Sequence, residues 1–377
     1  MLDDWEREVE DAPPVAPEAV EQDTPAFWTH SSGTSGRPKA VVHAHRFACS
    51  VEAVADRLLG LTAADRFYAS SKLFFAYPLG NSLFAGLKLG GTVILDPQWP
   101  TAASVAATIA ARKPTVFFSV PSLYRNLLKA GFARELVEHG VRVFVSAGEV
   151  LAPGLRSEWR KQAGVSIVNG YGASETLSLA LLNPGEGDEL SPTPGFEVQS
   201  LNPRDDGAPT RIRIDAPTLA IGYWNRPDAD AEHFRQGAFC PADLFEHTGA
   251  NTWRFAGRED SLVKIRGRWV NLAMLEDRLA IACPSIAEAA ATACPDDDGV
   301  AAIVFFYVLR PDAAAGAENA LHAFAETFLP HYQRPRWLRA VPSLPRTATG
   351  KLLRRKLLEV YPLRAADEAG SAVTAAF

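Results

Sequence analysis

The stretch Phe27-Trp28-Thr29-His30-Ser31-Ser32-Gly33-Thr34-Ser35-Gly36-Arg37-Pro38-Lys39 decides how the rest of the chain is read. Hydroxyl residues and two glycines crowd between an apolar, strand-like lead-in and a lysine, and Val41-Val42 resumes the apolar pattern. Glycine tolerates positive φ, so such a loop folds tightly and aims backbone N–H groups and hydroxyls at an anion. It is not a Walker A loop, which ends Gly-Lys-Ser/Thr; here Pro38 precedes the lysine and Ala40 follows it. With no hydroxyl after Lys39 to hold magnesium, the metal ligand has to come from elsewhere. Taken alone, a Ser/Thr/Gly cluster reads as a flexible loop. The Pro-Lys ending and the partners downstream favour an anion site.

Outward from this loop, 377 residues leave room for about two domains. With 47% hydrophobic and 22% charged residues the composition is that of an ordinary globular protein. A net charge of -6 argues against broad nucleic-acid binding, which favours a basic face. Cys49, Cys240, Cys283 and Cys294 lie far apart, without Cys-x-x-Cys or zinc-finger spacing, and read as reduced, buried small residues. No apolar run reaches the roughly 18 residues of a membrane span. The start Met1-Leu2-Asp3-Asp4-Trp5-Glu6 is acidic where a secretory signal is basic. A cytoplasmic protein with neither a nucleic-acid nor a membrane partner is expected.

Residues 1–24 read as an acidic, proline-punctuated lead. From Arg46 to Trp224 apolar runs of strand and helix type alternate. Helices are expected over Arg46 to Leu61, Ser82 to Leu89, Thr101 to Arg112, Ser122 to Leu128 and Leu155 to Gln162. Strands are expected at Asp65 to Ser70, Thr92 to Leu95, Thr115 to Val120, Val141 to Ser146 and Val165 to Val168. This alternation predicts an α/β core with a parallel sheet under helical cover, and ligands in such sheets sit beyond the strand C-terminal ends. Short alternating strands from Pro192 add a small β subdomain. Past Gly257-Arg258-Glu259-Asp260 a small α+β domain follows, with strands near Val263 and Ala302 to Leu309 and helices near Ala273 to Ala282 and Leu321 to Phe328. The division expected is 1–24, 25–259 and 260–377.

Ser31-Ser32-Gly33-Thr34-Ser35-Gly36-Arg37-Pro38-Lys39 resembles the phosphate loop of the adenylate-forming superfamily, which includes acyl- and aryl-CoA ligases, peptide-synthetase adenylation domains and luciferases. Ala40 replaces the glycine that usually follows that lysine. In the superfamily much of the N-terminal domain precedes this loop, and here it is nearly all absent. The resemblance leaves open a naturally short chain, one half of a split protein or a mis-started frame. Asn169-Gly170-Tyr171-Gly172-Ala173-Ser174-Glu175-Thr176 is similar to the Tyr-Gly-x-Thr-Glu motif, with Ser174 in place of threonine. Tyr171 offers a flat face to adenine, Asn169 a partner for its amine, and Glu175 a hard oxygen ligand for magnesium. Ala147-Gly148-Glu149 resembles the loop on the other side of the base. Asp243 matches the ribose-binding aspartate and Arg258 the arginine that reaches ribose and phosphate. Asp260 stands at the hinge between domains. Leu344-Pro345-Arg346-Thr347-Ala348-Thr349-Gly350-Lys351 resembles the segment carrying the catalytic lysine, whose ammonium offsets charge built in the transition state. Arg354-Arg355-Lys356 reads as a solvated helix face, and His43-Ala44-His45 as surface or core rather than a metal site.

The resemblance runs from Phe27 to Lys356 and is nearest to the benzoate and hydroxybenzoate ligases, through Lys72-Leu73-Phe74-Phe75-Ala76-Tyr77-Pro78-Leu79-Gly80-Asn81, Thr115 to Pro121 and Val145 to Glu149. It implies a flat slot with Tyr77 near the carboxylate, Ala76 beside it, and Gly170 and Ala173 along the floor. Phe74, Phe75, Phe117 and Phe118 read mostly as core. Benzoate ligases often carry histidine three residues after the glutamate; Ser178 stands there, which favours a substituted ring or another planar acid. The function implied is ATP-dependent activation of an aryl acid to an acyl-adenylate, then thioester formation with coenzyme A, with Mg2+ as metal and Gly267 flanking the pantetheine channel. Lys351, Glu175 and Ser174 are the candidate catalytic residues. One alternative acceptor is the phosphopantetheine of an acyl carrier protein; another reading is a non-catalytic homologue that binds nucleotide or a partner. A homodimer and a complementing N-terminal chain are the protein partners the resemblance leaves open.

Overall fold

The computed structural model of the chain describes residues 12–13, 15–32, 38–202, 208–313, 316–346 and 352–363, without the side chains of Ser32 and Asp260. A hairpin comes first, β1 (Pro25–Ser32) with β2 (Pro38–Ala44). Then β3 (Arg66–Ala69), β4 (Thr92–Ile94), β5 (Val116–Ser119), β6 (Val143–Ser146) and β7 (Ile167–Tyr171) lie in the order β4-β3-β5-β6-β7, each pair parallel. Helices α1 (Ala102–Arg112), α2 (Pro121–Lys129), α3 (Ala133–Glu138) and α4 (Pro153–Ala163) form the crossovers that parallel strands require. Thr101 and Ser104 close a capping box on α1, and prolines open α2 and α4. The strands are continuous apolar runs because both faces are covered. Phe117 and Phe144 pack with Tyr124 and Trp159 on one face, Phe118 and Val145 with Phe67 and Leu61 on the other.

The β-rich part continues this sheet. It comprises β8 (Leu181–Asn183), β9 (Glu189–Pro192), β10 (Glu197–Ser200), β11 (Thr210–Asp215), β12 (Gly222–Tyr223), helix α5 (Pro227–His233), β13 (Phe234–Arg235), β14 (Ala238–Phe239), β15 (Asp243–Gly249) and β16 (Thr252–Arg258). β8 runs antiparallel to β7, and the hydrogen bonds pass on through β9, β16, β15 and β11. Among the described residues the result is one mixed sheet of 13 strands. β12 leaves it to pair with β2 instead.

Two expected helices take other forms. Over 46–61 there is a 3-10 turn (His45–Cys49) and a π-helical turn (Val54–Leu58). Over 82–89 a π turn (Leu79–Phe84) runs into a short α-helix (Ala85–Lys88). π turns concentrate at functional sites, and this one contains Gly80, whose added Cβ would stand 2.4 Å from the carbonyl oxygen of Leu177.

Beyond Arg258 the hairpin β17 (Leu262–Ile265) and β18 (Arg268–Asn271) turns through Arg266 (φ 48°) and Gly267 (φ 81°). Positive φ at both positions is the type I′ signature that matches strand twist. Helix α6 (Leu272–Ala282), β19 (Ile286–Pro295), β20 (Ala301–Leu309), α7 (Ala317–Phe328) and β21 (Trp337–Ala340) complete a second unit with its own three-stranded sheet. β19 has no counterpart among the sequence expectations. Its alanines favour helix, yet Ala290 and Ala291 are buried against Phe306 and Phe305, so packing overrides propensity.

Candidate active site

A cavity of about 160 Å³ opens between the loop after β6 and the turn after β7. Ala76, Tyr77, Ala173 and Ser178, four of the five residues expected around the acid, line it. Phe75, Asn81, Leu177 and Leu179 complete the wall, with Gly148, Gly172 and Ser174 at the side of the motif loops. A larger open groove of about 600 Å³, lined by Arg46, Glu197, Asp215 and Gln236, contains none of the expected residues.

The turn 172–179 is a knot of buried hydrogen bonds. Thr176 Oγ1 accepts from the Ala173 N–H at 2.9 Å and reaches the Ser178 carbonyl at 2.9 Å. Thr218 Oγ1 donates to the Thr176 carbonyl at 2.9 Å, and Thr193 Oγ1 to that of Leu179 at 2.6 Å. Asn81 accepts from the Leu179 N–H and donates to the carbonyls of Tyr77 and Leu177. Leu177 has φ 60°, a conformation that surroundings must enforce on a branched residue. His43 lies wholly buried, stacked on Phe27 at 5.0 Å, with Nε2 2.9 Å from the Ser174 carbonyl. Burial lowers its pKa to about 4. It is therefore neutral and a core residue, as expected, and it braces the loop that presents Ser174 and Glu175.

Polar residues gather at the strand C-terminal ends. Ser119, Ser146 and Asn169 are neighbours across β5, β6 and β7. Next to them Tyr171 donates its hydroxyl to Asp243 Oδ2 at 2.6 Å, and Asp243 pairs in register with Arg258. Burial, then the Asp243 charge, holds the Tyr171 phenol well above its ordinary pKa, so it remains a donor. These three residues, 87 positions apart at the extremes (258 − 171), form one corner.

A second corner joins Lys39, Tyr223 and Glu175. Tyr223 donates its hydroxyl to Glu175 Oε1 at 2.7 Å, and the Lys39 ammonium lies 4.5 Å over the Tyr223 ring. Glu175 is 6% exposed. Burial lowers the Lys39 pKa, and the Glu175 charge opposes that shift. Tyr223 is absent from the sequence reading. Only the pairing of β12 with β2, Tyr223 opposite Val41, brings it here.

Ser31 pairs with Lys39 across the hairpin, and Thr29 Oγ1 and Ser31 Oγ are buried without hydrogen-bond partners. Unpaired buried hydroxyls beside a lysine are donors to which a phosphate supplies acceptors. A nucleotide fits. Among the described residues no three His, Cys, Asp or Glu side chains converge on a metal position. The single Glu175 carboxylate suits magnesium, which takes most of its ligands from phosphates and water. Gly33, Thr34, Ser35, Gly36 and Lys351 lie outside the described residues, as do the side chains of Ser32 and Asp260.

Several expectations are corrected. The Tyr77 hydroxyl donates to the Val145 carbonyl at 3.0 Å, and the residue forms part of the cavity wall. Gly170 does not line the cavity; an added Cβ would stand 2.9 Å from Leu179, which fills the space glycine leaves. Glu149 accepts from both N–H and Oγ of Ser122 at 2.9 Å, capping α2 instead of facing a base. Ala147 and Gly148 remain at the cavity mouth, Gly148 with φ 85°. Phe117 and Phe118 are core, whereas Phe74 and Phe75 stand exposed. Arg354 is no solvated face, since it is paired with Glu276 and with the Ala291 carbonyl. Gly267 sits at the hairpin turn, and Lys264 lies over Trp269. All four cysteines are unpaired, and among the described residues no helix is long and apolar enough to cross a membrane.

The AMP-binding enzyme family model matches residues 2–224, and that of the AMP-binding enzyme C-terminal domain matches 277–351. The chain belongs to the AMP-binding enzyme family. Family relatives include the 3-hydroxybenzoate–CoA/4-hydroxybenzoate–CoA ligase of Thauera aromatica, 37% identical over 92% of this chain and 67% of the relative. The benzoate–CoA ligase of the same organism is 34% identical over 89% of this chain and 66% of the relative. The chain thus spans about two thirds of the curated relatives it matches. The benzoate CoA ligase of Burkholderia xenovorans LB400 superposes with a TM-score of 0.76 at 31% identity, over 94% of this chain and 72% of that one. The anthranilate CoA ligase AuaEII in complex with anthranoyl-AMP does so at 0.76 and 28%, over 99% and 73%.

Proposed function

We infer that the chain is an AMP-forming acid–thiol ligase that activates an aromatic carboxylic acid with ATP and transfers the acyl group to a thiol. The names of its relatives point to coenzyme A as that thiol. One observation carries the reading: a cavity of single-ring size opens at Gly148, Gly172 and Ser174, and in the chain Gly172 adjoins Tyr171 of one corner and Ser174 adjoins Glu175 of the other. Cavities of about 150 Å³ accept a benzene ring, so this one suits an aryl acid.

In this reading Asp243 and Arg258 hold the ribose, and Asn169, Tyr171 and Ala147-Gly148 hold the base. Ser31 and Lys39 hold the phosphates, with Glu175 oriented by Tyr223 as the magnesium ligand. The substrate carboxylate oxygen attacks the α-phosphorus; that bond forms as the bridging P–O bond to pyrophosphate breaks. Lys351 offsets the growing charge. Rotation of residues 260–377 against 25–259 about Asp260 then exchanges Lys351 for the segment 264–269, and the thiol displaces AMP. The test is acid-dependent pyrophosphate release by the purified chain over a panel of aryl and short acyl acids. Lys351→Ala is expected to slow it by about 10²–10³-fold. Release equal in both proteins overturns the assignment.

A further inference from the structure

Tyr223, whose hydroxyl donates to Glu175 at 2.7 Å, stands on a strand of only two residues, Gly222–Tyr223. On one side that strand is tied to β2, where the N–H groups of Ile221 and Trp224 donate to the carbonyls of Val42 and Ala40 at 2.8 and 2.9 Å. The Tyr223 N–H instead donates to Oδ1 of Asp230, in α5, at 2.7 Å. A hydrogen bond to a carboxylate is among the strong ones. Gly222 lets the carboxylate come so close. Its φ is 145°, and a Cβ there would stand 2.9 Å from Asp230 Oδ1 and 3.2 Å from Oδ2. The same helix supports the ring. His233, one turn beyond Asp230, packs edge-on against Tyr223 with 6.0 Å between centroids, and Phe234 does so at 5.5 Å. His233 is buried, and burial, then the Lys39 charge, lowers its pKa, so it packs as a neutral ring. Burial, then the Glu175 charge, holds the Tyr223 phenol well above its ordinary pKa, so it stays a donor.

We propose that Asp230 is a positioning residue for magnesium binding: by fixing the Tyr223 backbone beside β2, it sets the direction in which the Tyr223 hydroxyl holds the Glu175 carboxylate. This rests on Glu175 as the magnesium ligand and extends that reading from the tyrosine to the residue that fixes it. A two-residue strand has few bonds of its own to resist a shift. Without the Asp230 acceptor the tyrosine swings on its pairing with β2, and the carboxylate loses its fixed partner.

The test is calorimetric titration of the purified full chain with ATP, without metal and with saturating Mg2+. The ratio of the two dissociation constants measures how much the metal adds. Asp230→Ala is expected to reduce that ratio by about three- to tenfold, the scale of one net hydrogen bond, while ATP without metal binds as before. Asp230→Asn keeps an acceptor at Oδ1 and restores most of the loss. In a Tyr223→Phe background Asp230→Ala should cost nothing further, because the path through the hydroxyl is already cut. Should the alanine protein melt early, Asp230→Glu, which carries the carboxylate one methylene too far, gives the same loss. A ratio unchanged in Asp230→Ala, an asparagine protein as impaired as the alanine one, or an equal loss in the Tyr223→Phe background overturns the proposal. A ratio lowered by Glu175→Gln but not by Asp230→Ala overturns the proposal alone. A ratio untouched by Glu175→Gln removes the magnesium reading and the proposal with it.

Discussion

Around the acid cavity, Thr176, Leu177 and Ser178 are held by neutral hydrogen bonds between buried groups, whereas Arg346 and Arg354 of the C-terminal unit are held by ion pairs. Arg346 pairs with Glu288 at 2.6 Å and Arg354 with Glu276, and Arg346 and Leu352 form an isolated antiparallel β-bridge. Both partners of the first pair are more than 40% exposed; those of the second are 21% and 12%. Neutral networks in a low dielectric allow one geometry and tolerate little change. Exposed ion pairs are weak and screened by salt, so only the inner pair anchors strongly. Near the junction, Arg125 and Glu149 lie close enough to act on the carboxyl of Asp277 in α6, whose pKa burial raises.

The contrast can be broken from either side. The largest effect is expected from Glu276→Ala, which leaves Arg354 and the Ala291 N–H without their carboxylate. A loss of about 3–4 kcal/mol is expected, confined to the C-terminal unit. Hydrogen exchange should rise in β19 and β20 while acid binding is unchanged. Exchange that rises equally around 172–179 would show the two regions to be one cooperative unit.

On the cavity side, His43 gives the fold a dependence on pH. Buried and neutral with a pKa of about 4, it binds its proton later than it does unfolded, near 6.5. The stability it protects is full above pH 6.5, falls as pH drops toward 4, and changes no further below. The total is roughly 3 kcal/mol. His43→Gln, which keeps a donor for the Ser174 carbonyl, should flatten acid denaturation across that window, and an unaltered curve would remove His43 from the account. The smallest effect is expected from Tyr223→Phe, which removes one donor from Glu175. It should lower kcat/KM for acid activation by about tenfold or less, worth about 1 kcal/mol, with the melting temperature little changed. No change in kcat/KM would mean that the orientation of Glu175 does not matter to the reaction.

Much of the site could be read from contiguous residues. The loop ending Pro38-Lys39, the 169–176 motif and Asp243 each carry their chemistry in short runs, and the parallel strands are signalled by their apolar runs. Other features were legible only in part. Ser178 was expected at the acid pocket and lines the cavity, but that its Oγ is buried without a partner depends on how Asn81 and Tyr77 use their own polar atoms. Gly170 offers space in any reading; that Leu179 takes it depends on the turn joining β7 to its antiparallel neighbour β8. The Glu149 carboxylate could face a base or a helix end, and the nearness of Ser122 settles the matter.

The amino-acid sequence by itself determined the alternation of strands and helices and the family, because these depend on spacing along the chain. Tertiary structure alone decided that Tyr223 orients Glu175, that Tyr77 is a wall, and that alanine-rich β19 is a strand. In each case a hydrogen bond or a buried face is completed by a residue distant in sequence, and a polar group has only as many bonds to give as its neighbours in space allow.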